Sequence, residues 1–225
     1  MADSVERLSI AVDGKHRVSG LLQSAENLRA CFVLAHGAGA GMEHPSMATV
    51  AEELEPRGIA TLRYQFPYME QRSKRPDPPA LCHATVRAAV AEAARRMPGV
   101  PLIAGGRSFG GRMTSQAQAL SPLPGVRGLV FLAFPLHPAK RPSDERAAHL
   151  FEISIPMLFL QGTHDALADL SLLQPLMQKL GSRATLELLQ DADHSFRVPA
   201  RSGRTDQEAR AQAWDALTRW LGKIL

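Results

Sequence analysis

Pro101-Leu-Ile-Ala-Gly-Gly-Arg-Ser-Phe-Gly-Gly-Arg112 decides how the rest of this chain is read. Leu102 to Ala104 is a short apolar run of the kind that forms a buried strand. It ends in Gly106-Arg-Ser-Phe-Gly110, a G-x-S-x-G, and Gly111 to Leu120 can continue as a helix. A serine on so sharp a strand-to-helix turn sits in strained backbone with its hydroxyl held out for attack. Gly106 and Gly110 flank Ser108 by two on either side, and without Cβ atoms they let strand and helix pass closely around the bend.

Working outward, strands and helices alternate. Val5 to Val12 is strand-like, Asp13-Gly14 signals a hairpin, and Arg17 to Gln23 returns. Ala30 to Ala35 is continuously apolar, as in a strand covered on both faces, and it runs into His36-Gly-Ala-Gly-Ala-Gly41. Met47, Val50, Ala51 and Leu54 fall at helical spacing, and Gly58 closes that helix. Ile59 to Arg63 is the next strand. The prolines between Gln65 and Pro79 exclude a regular helix or central strand there. Val86, Ala89, Val90, Ala93 and Met97 mark a helix stopped by Pro98-Gly99. Three further strands are expected over Gly128–Phe134, Pro156–Leu160 and Thr185–Leu189. The helix after Asp165 contains Pro175, which should sit in its first turn or break it. Thr205 and Glu208 open the last helix with capping-box spacing. Its apolar face is Trp214, Leu217, Leu221 and Ile224. About eight strands in a mostly parallel sheet, helices on both faces and an antiparallel N-terminal hairpin are therefore expected, in one domain spanning 1–225.

The 225 residues carry a net charge of +4 with no long run of like charge, which argues against nucleic acid as a partner. The N-terminus lacks a signal peptide and no apolar run nears a membrane span, so a cytoplasmic chain with no membrane partner is expected. Cys31 and Cys82 read as small buried residues rather than a disulfide or metal pair.

In an open parallel sheet, sites gather at the carboxyl ends of strands. Four unusual loops fall there: the glycine-rich loop after Leu34, Ser108, Asp165 and His194. Serine needs a base at neutral pH, and the base needs a carboxylate to fix its tautomer. Asp191 and Asp193 compete with Asp165 for that place. The chain order serine, acid, histidine matches the α/β-hydrolases, each member after a different strand.

From hairpin to last helix the chain resembles the α/β-hydrolases, and more narrowly the small, lidless branch related to dienelactone hydrolase. Arg63-Tyr-Gln-Phe-Pro-Tyr-Met69, Gly105 to Arg112, Phe134-Pro-Leu-His-Pro138, Phe159-Leu-Gln-Gly-Thr-His-Asp165 and Asp193-His-Ser-Phe196 resemble the testis-expressed protein 30 type of hydrolase. Dienelactone hydrolase itself has a cysteine nucleophile where this chain has Ser108, so its substrate does not carry over. The resemblance implies Ser108 as nucleophile, His194 as general base and then acid, and Asp165 as the orienting carboxylate. Asp191 and Asp193 lie in the histidine's own loop, which hinders their approach to the ring. The oxyanion would be received by the backbone N–H groups of Phe109 and Ala38, the latter chosen over Gly39. Met42 stands where a dinucleotide fingerprint needs glycine. His36, His137, His164, Asp165, Asp193 and His194 lack metal-site spacing, so neither metal nor cofactor is expected.

Some twenty residues between the Gly128–Phe134 strand and Pro156 leave no room for a cap domain, so the pocket should be open. Its borders are expected at 65–79, 135–143 and 195–204, loops that carry Arg72, Lys74, Arg75, Lys140, Arg141, Arg197, Arg201 and Arg204. Arg63 or Arg107 would recognise an anionic group; Tyr68 and His137 would line the pocket or only pack loops. The expected activity is hydrolysis of esters or thioesters of small, on one reading anionic, molecules through an acyl-enzyme. The rival is a hydrolase-like module that uses the fold for protein contact, against which the intact trio argues. Oligomeric state is closed to the sequence.

Overall fold

The structure, a computed structural model, describes residues 5–73 and 75–225; Met1–Ser4 and Lys74 lie outside the described residues. In chain order the elements are β1 Val5–Ala11, β2 Arg17–Gln23, β3 Ala30–Ala35, α1 Pro45–Leu54, β4 Ile59–Tyr64, α2 Pro67–Glu70, α3 Pro79–Arg96, β5 Leu102–Arg107, α4 Phe109–Leu120, β6 Val126–Leu132, β7 Met157–Gly162, α5 Leu170–Leu180, β8 Ala184–Leu189 and α6 Asp206–Ile224. They build an eight-stranded sheet in the order β1-β2-β4-β3-β5-β6-β7-β8. β1 and β2 are antiparallel, β2 is antiparallel to β4, and the remaining pairs are parallel. This is the α/β-hydrolase arrangement expected from the sequence.

Alternation along the central strands distributes the core. Cys31, Val33, Phe131 and Phe159 face one layer with Val86, Ala89, Met113 and Leu173 of α3, α4 and α5. Phe32, Leu34, Val130 and Leu158 face the other with Met47, Val50 and Leu54 of α1 and Trp214, Leu217 and Leu221 of α6. Burying each such Leu, Phe or Met side chain stabilises the fold by about 1.5–3 kcal/mol. β3 has β4 on one side and β5 on the other, so chain progression reverses between β3 and β5. Crevices open beyond the carboxyl ends of strands at such a point.

Two local expectations are corrected. α2 forms a single helical turn inside the proline-rich stretch, because Pro67 stands in its first turn, where the missing N–H is not needed. α5 runs through Pro175 without breaking. Pro175 and Ser171, whose carbonyl loses its helical donor, are both exposed, so water can satisfy that carbonyl. Leu173, Leu176, Met177 and Leu180 bury the opposite face and outweigh the cost, about 3 kcal/mol for an interior proline. Gly58 closes a 3₁₀ turn, Glu55–Arg57, appended to α1, in left-handed backbone at φ 74°. Thr205 and Glu208 form the capping box of α6.

No cap domain covers the strand ends: the connection from β6 to β7 holds only 3₁₀ turns at Glu145–Glu152. Cys31 and Cys82 are buried free thiols, and burial pushes both up to about 12. Among the described residues no helix is long and apolar enough to cross a membrane.

Candidate active site

Ser108 sits between β5 and α4 at φ 48°, ψ −114°, a conformation costly for a residue with a Cβ. The turn can be this tight only because its neighbours lack side chains. A Cβ on Gly106 would lie 2.3 Å from the Ala35 carbonyl oxygen, and one on Gly110 would lie 2.5 Å from that of His36. Both contacts are to the β3 end, so the two glycines let the serine turn press against the glycine-rich loop.

Ser108, His194 and Asp165 are brought together. His194 Nε2 is 2.9 Å from Ser108 Oγ, and His194 Nδ1 is 2.7 Å from Asp165 Oδ2. The Asp165 side chain is fully buried, while His194 keeps 27% of its side chain exposed. Asp165 Oδ1 accepts the Leu167 N–H at 2.8 Å, and Oδ2 accepts a hydrogen bond from Gln161 Nε2. Gln161 Oε1 in turn accepts the Phe134 N–H at 2.9 Å. A backbone N–H can only donate, so it fixes which end of the amide faces the carboxylate. Gln161 is a site residue that sequence reasoning missed. A signal for it exists: it is the lone polar side chain in the buried run Met157–Gly162.

The competing carboxylates are engaged elsewhere. Asp193 Oδ1 accepts the N–H groups of Ser195 and Arg197, at 2.7 and 2.9 Å, and shapes the histidine loop. Asp191 lies beside His164 at 3.8 Å.

The loop after β3 is organised by His36. Its Nδ1 pairs with the Gly37 carbonyl at 2.7 Å and its Nε2 accepts the Phe66 N–H at 3.2 Å. Burial lowers its pKa to about 4, so the ring is neutral. The Gly39 N–H donates to the Tyr68 hydroxyl oxygen at 3.1 Å, and Tyr68 is buried against His36, Phe66 and Phe109. Tyr68 therefore packs this loop. The Ala38 N–H makes no hydrogen bond among the described residues. Phe109 opens α4, where first-turn N–H groups have no helical acceptor.

The four side chains expected to meet substrate divide differently from that expectation. Arg63 is buried on the α1 face, donating to Gln23 Oε1 at 3.3 Å, and does not reach the serine. Arg107 donates from Nη2 to the His194 carbonyl at 3.0 Å, and its guanidinium stands 5.6 Å from the Phe196 ring centroid. Burial lowers its pKa, and it ties the serine turn to the histidine loop. His137 is buried, pairing with the Pro138 carbonyl at 2.9 Å and accepting the Asp169 N–H at 2.9 Å. With Lys140 it borders a separate hollow of about 360 Å3 behind Asp165.

The cleft that opens on Ser108 measures about 480 Å3. Beyond Ser108, His194 and Ala38, its walls are the first turns of α1 and one face of α6, with Phe196 and Arg197 of the expected 195–204 border and, of the four side chains expected to meet substrate, Arg107. Among the described residues, none of 65–73, 75–79 or 135–143 lines it. Their anchors Phe66, Tyr68, Phe134 and Leu136 are buried in the core layer that holds α3, α4 and α5. Among the described residues no cluster of His, Cys, Asp and Glu is placed to hold a metal ion.

A family model described as an alpha/beta hydrolase domain matches residues 28–222. Among solved structures, the fold is similar to a dienelactone hydrolase from Anabaena variabilis, at 20% identity and TM-score 0.79 over 100% of both chains. It is also similar to a lidless α/β serine hydrolase from Xanthomonas campestris, at 19% identity and TM-score 0.74 over 98% of this chain and 96% of that one. An esterase domain from Rhodothermus marinus matches at 16% identity and TM-score 0.71, covering 96% and 97%. At these identities the likeness is one of fold.

Proposed function

This chain belongs to the α/β-hydrolase family, and from that premise we propose that it is a serine hydrolase cleaving ester or thioester bonds of small molecules. The observation that carries the proposal is the unbroken line of hydrogen bonds from Ser108 Oγ through both ring nitrogens of His194 to Asp165. Ser108 Oγ attacks the scissile carbonyl while His194 Nε2 takes its proton. Asp165 holds Nδ1 protonated and stabilises the imidazolium. The tetrahedral oxyanion is received by the N–H groups of Phe109 and Ala38, since Gly39 has already given its own to Tyr68. His194 protonates the leaving alcohol or thiol. It then takes a proton from water, which resolves the acyl-enzyme and releases the acid. No step draws on a metal or cofactor.

A fluorophosphonate probe on the folded protein tests this. Covalent labelling that Ser108→Ala abolishes supports the mechanism. Folded wild-type protein that takes no label would sink it and favour the protein-contact alternative.

A further inference from the structure

Of the arginines flanking the strand ends, Arg63 is committed inside the protein and Arg107 lines the serine cleft with one terminal amino group spent on the His194 carbonyl, yet the cleft holds further cationic groups. α6 presents Asp206, Arg210 and Trp214 to it at intervals of four residues, one helical face. α1 presents Ser46, Thr49 and Val50. Both helices start at the carboxyl edge of the sheet. At the helical rise, Arg210 therefore lies about 6 Å below Asp206 at the mouth. Val50 and Trp214 belong to the core layer and form an apolar floor.

Glu53 of α1 clamps the α6 wall. Its Oε1 takes Arg210 Nε at 3.4 Å and its Oε2 takes the Trp214 indole N–H. The two terminal amino groups of Arg210 donate to no protein acceptor among the described residues, and the Arg210 side chain is 31% exposed. Arg197, also on the cleft wall, has no side-chain hydrogen bond among the described residues. Among the described residues the one carboxylate lining the cleft is Asp206, whose Oδ1 is occupied by the Val198 N–H at 2.8 Å. The terminal amino groups of Arg210, whose Nε is held by Glu53, and the whole guanidinium of Arg197 thus stand without protein acceptors among the described residues, beside a hydroxyl-bearing wall. A partly desolvated guanidinium fork suits a carboxylate in two-point contact.

We propose that Arg210 and Arg197 form a carboxylate subsite. The preferred substrate is then a half-ester or half-thioester of a dicarboxylic acid, its free carboxylate held between α1 and α6 while its scissile carbonyl meets Ser108. The methylenes between the two groups lie over Val50 and Trp214. This rests on the serine-hydrolase reading above.

The test compares methyl hydrogen adipate with dimethyl adipate, with the succinate and glutarate homologues and a phosphate-ended methyl ester alongside, all followed by acid release. The expected result is a kcat/KM at least tenfold higher for a half-ester than for its diester at low salt. That preference should shrink as salt rises and peak at one chain length. Arg210→Gln should lower the half-ester to diester ratio about tenfold, chiefly through KM. Arg197→Gln, which breaks no ion pair, should lower it several-fold and guards against a folding artefact in the first variant. Equal or better turnover of the diesters, or a ratio unmoved in both variants, overturns the subsite while leaving the hydrolase reading intact. A phosphate-ended ester preferred over every carboxylate overturns the carboxylate assignment. Folded protein inert to all of these esters and to the fluorophosphonate probe overturns the hydrolase reading, and the subsite with it.

Discussion

Replacing Gln161 should damage catalysis out of proportion to its distance from the serine. The amide donates to the same Asp165 oxygen, Oδ2, that receives His194 Nδ1, and it is itself held by the Phe134 N–H. A hydrogen bond to a charged acceptor is worth about 1.5–3 kcal/mol. Spent on aiming the carboxylate, that corresponds to roughly a ten- to hundredfold loss of kcat at 1.36 kcal/mol per decade. Gln161→Met keeps the volume and removes both bonds. It should show that loss, plus about 1–3 kcal/mol of destabilisation from the orphaned, buried Phe134 N–H. Gln161→Glu separates the two effects. It keeps an acceptor for Phe134 but sets a second carboxyl against Asp165, and repulsion between like charges raises the pKa of one of the pair. At low pH the introduced carboxyl is protonated and can donate as the amide does. As pH rises and that proton leaves, two anions face each other and activity falls. The assay is a pH profile of kcat beside thermal unfolding of each variant. A Gln161→Glu profile superimposable on wild type, or a Gln161→Met enzyme with undiminished kcat at temperatures where it is folded, would refute the reasoning.

Three further outcomes are expected. Gly110→Ala places a methyl group where the gap to the His36 carbonyl oxygen is 2.5 Å. The serine turn must then separate from the β3 loop, lowering the unfolding midpoint and the labelling rate together; a variant with normal values for both counts against the tight-turn account. Arg107→Gln removes the tie between Ser108's turn and the His194 carbonyl. It should cut kcat about tenfold, in line with a charged hydrogen bond of about 1.5–3 kcal/mol, with KM little changed; a pure KM effect would return Arg107 to substrate recognition. His36 is depressed from 6.5 to about 4 by burial, so below pH 6.5 the unfolded chain takes up a proton that the folded one refuses. Its contribution to stability is complete above pH 6.5 and is lost as pH falls toward 4. Denaturant titrations at pH 7 and pH 5 should show a drop that His36→Gln flattens, and equal slopes in both proteins would count against it.

Most of the architecture, and the trio at its rim, can be read from the residues in order. Continuous apolar runs such as Ala30–Ala35 must be strands covered on both sides. Glycines two residues either side of Ser108 announce a turn no side chain could enter, and the serine–acid–histidine order follows a chain that visits one sheet edge repeatedly. These are local rules, or rules of order along the chain. Pro67 and Pro175 mislead because proline's local cost is real, while first-turn placement in one case and a solvent-facing carbonyl in the other relieve it.

Which arginine is spent and which remains available is beyond the sequence. Arg107 and Arg210 both line the cleft, yet Arg107 spends a terminal amino group on the histidine loop while those of Arg210 stay without a protein acceptor among the described residues. Gln161 becomes part of the site only because β6 and β7 lie side by side, so that Phe134 and Asp165 reach it from opposite ends. Chemical type and spacing belong to the chain. The partner of a hydrogen bond, and the side of the sheet on which a cleft opens, depend on residues far apart in sequence whose distances exist only once the sheet has formed.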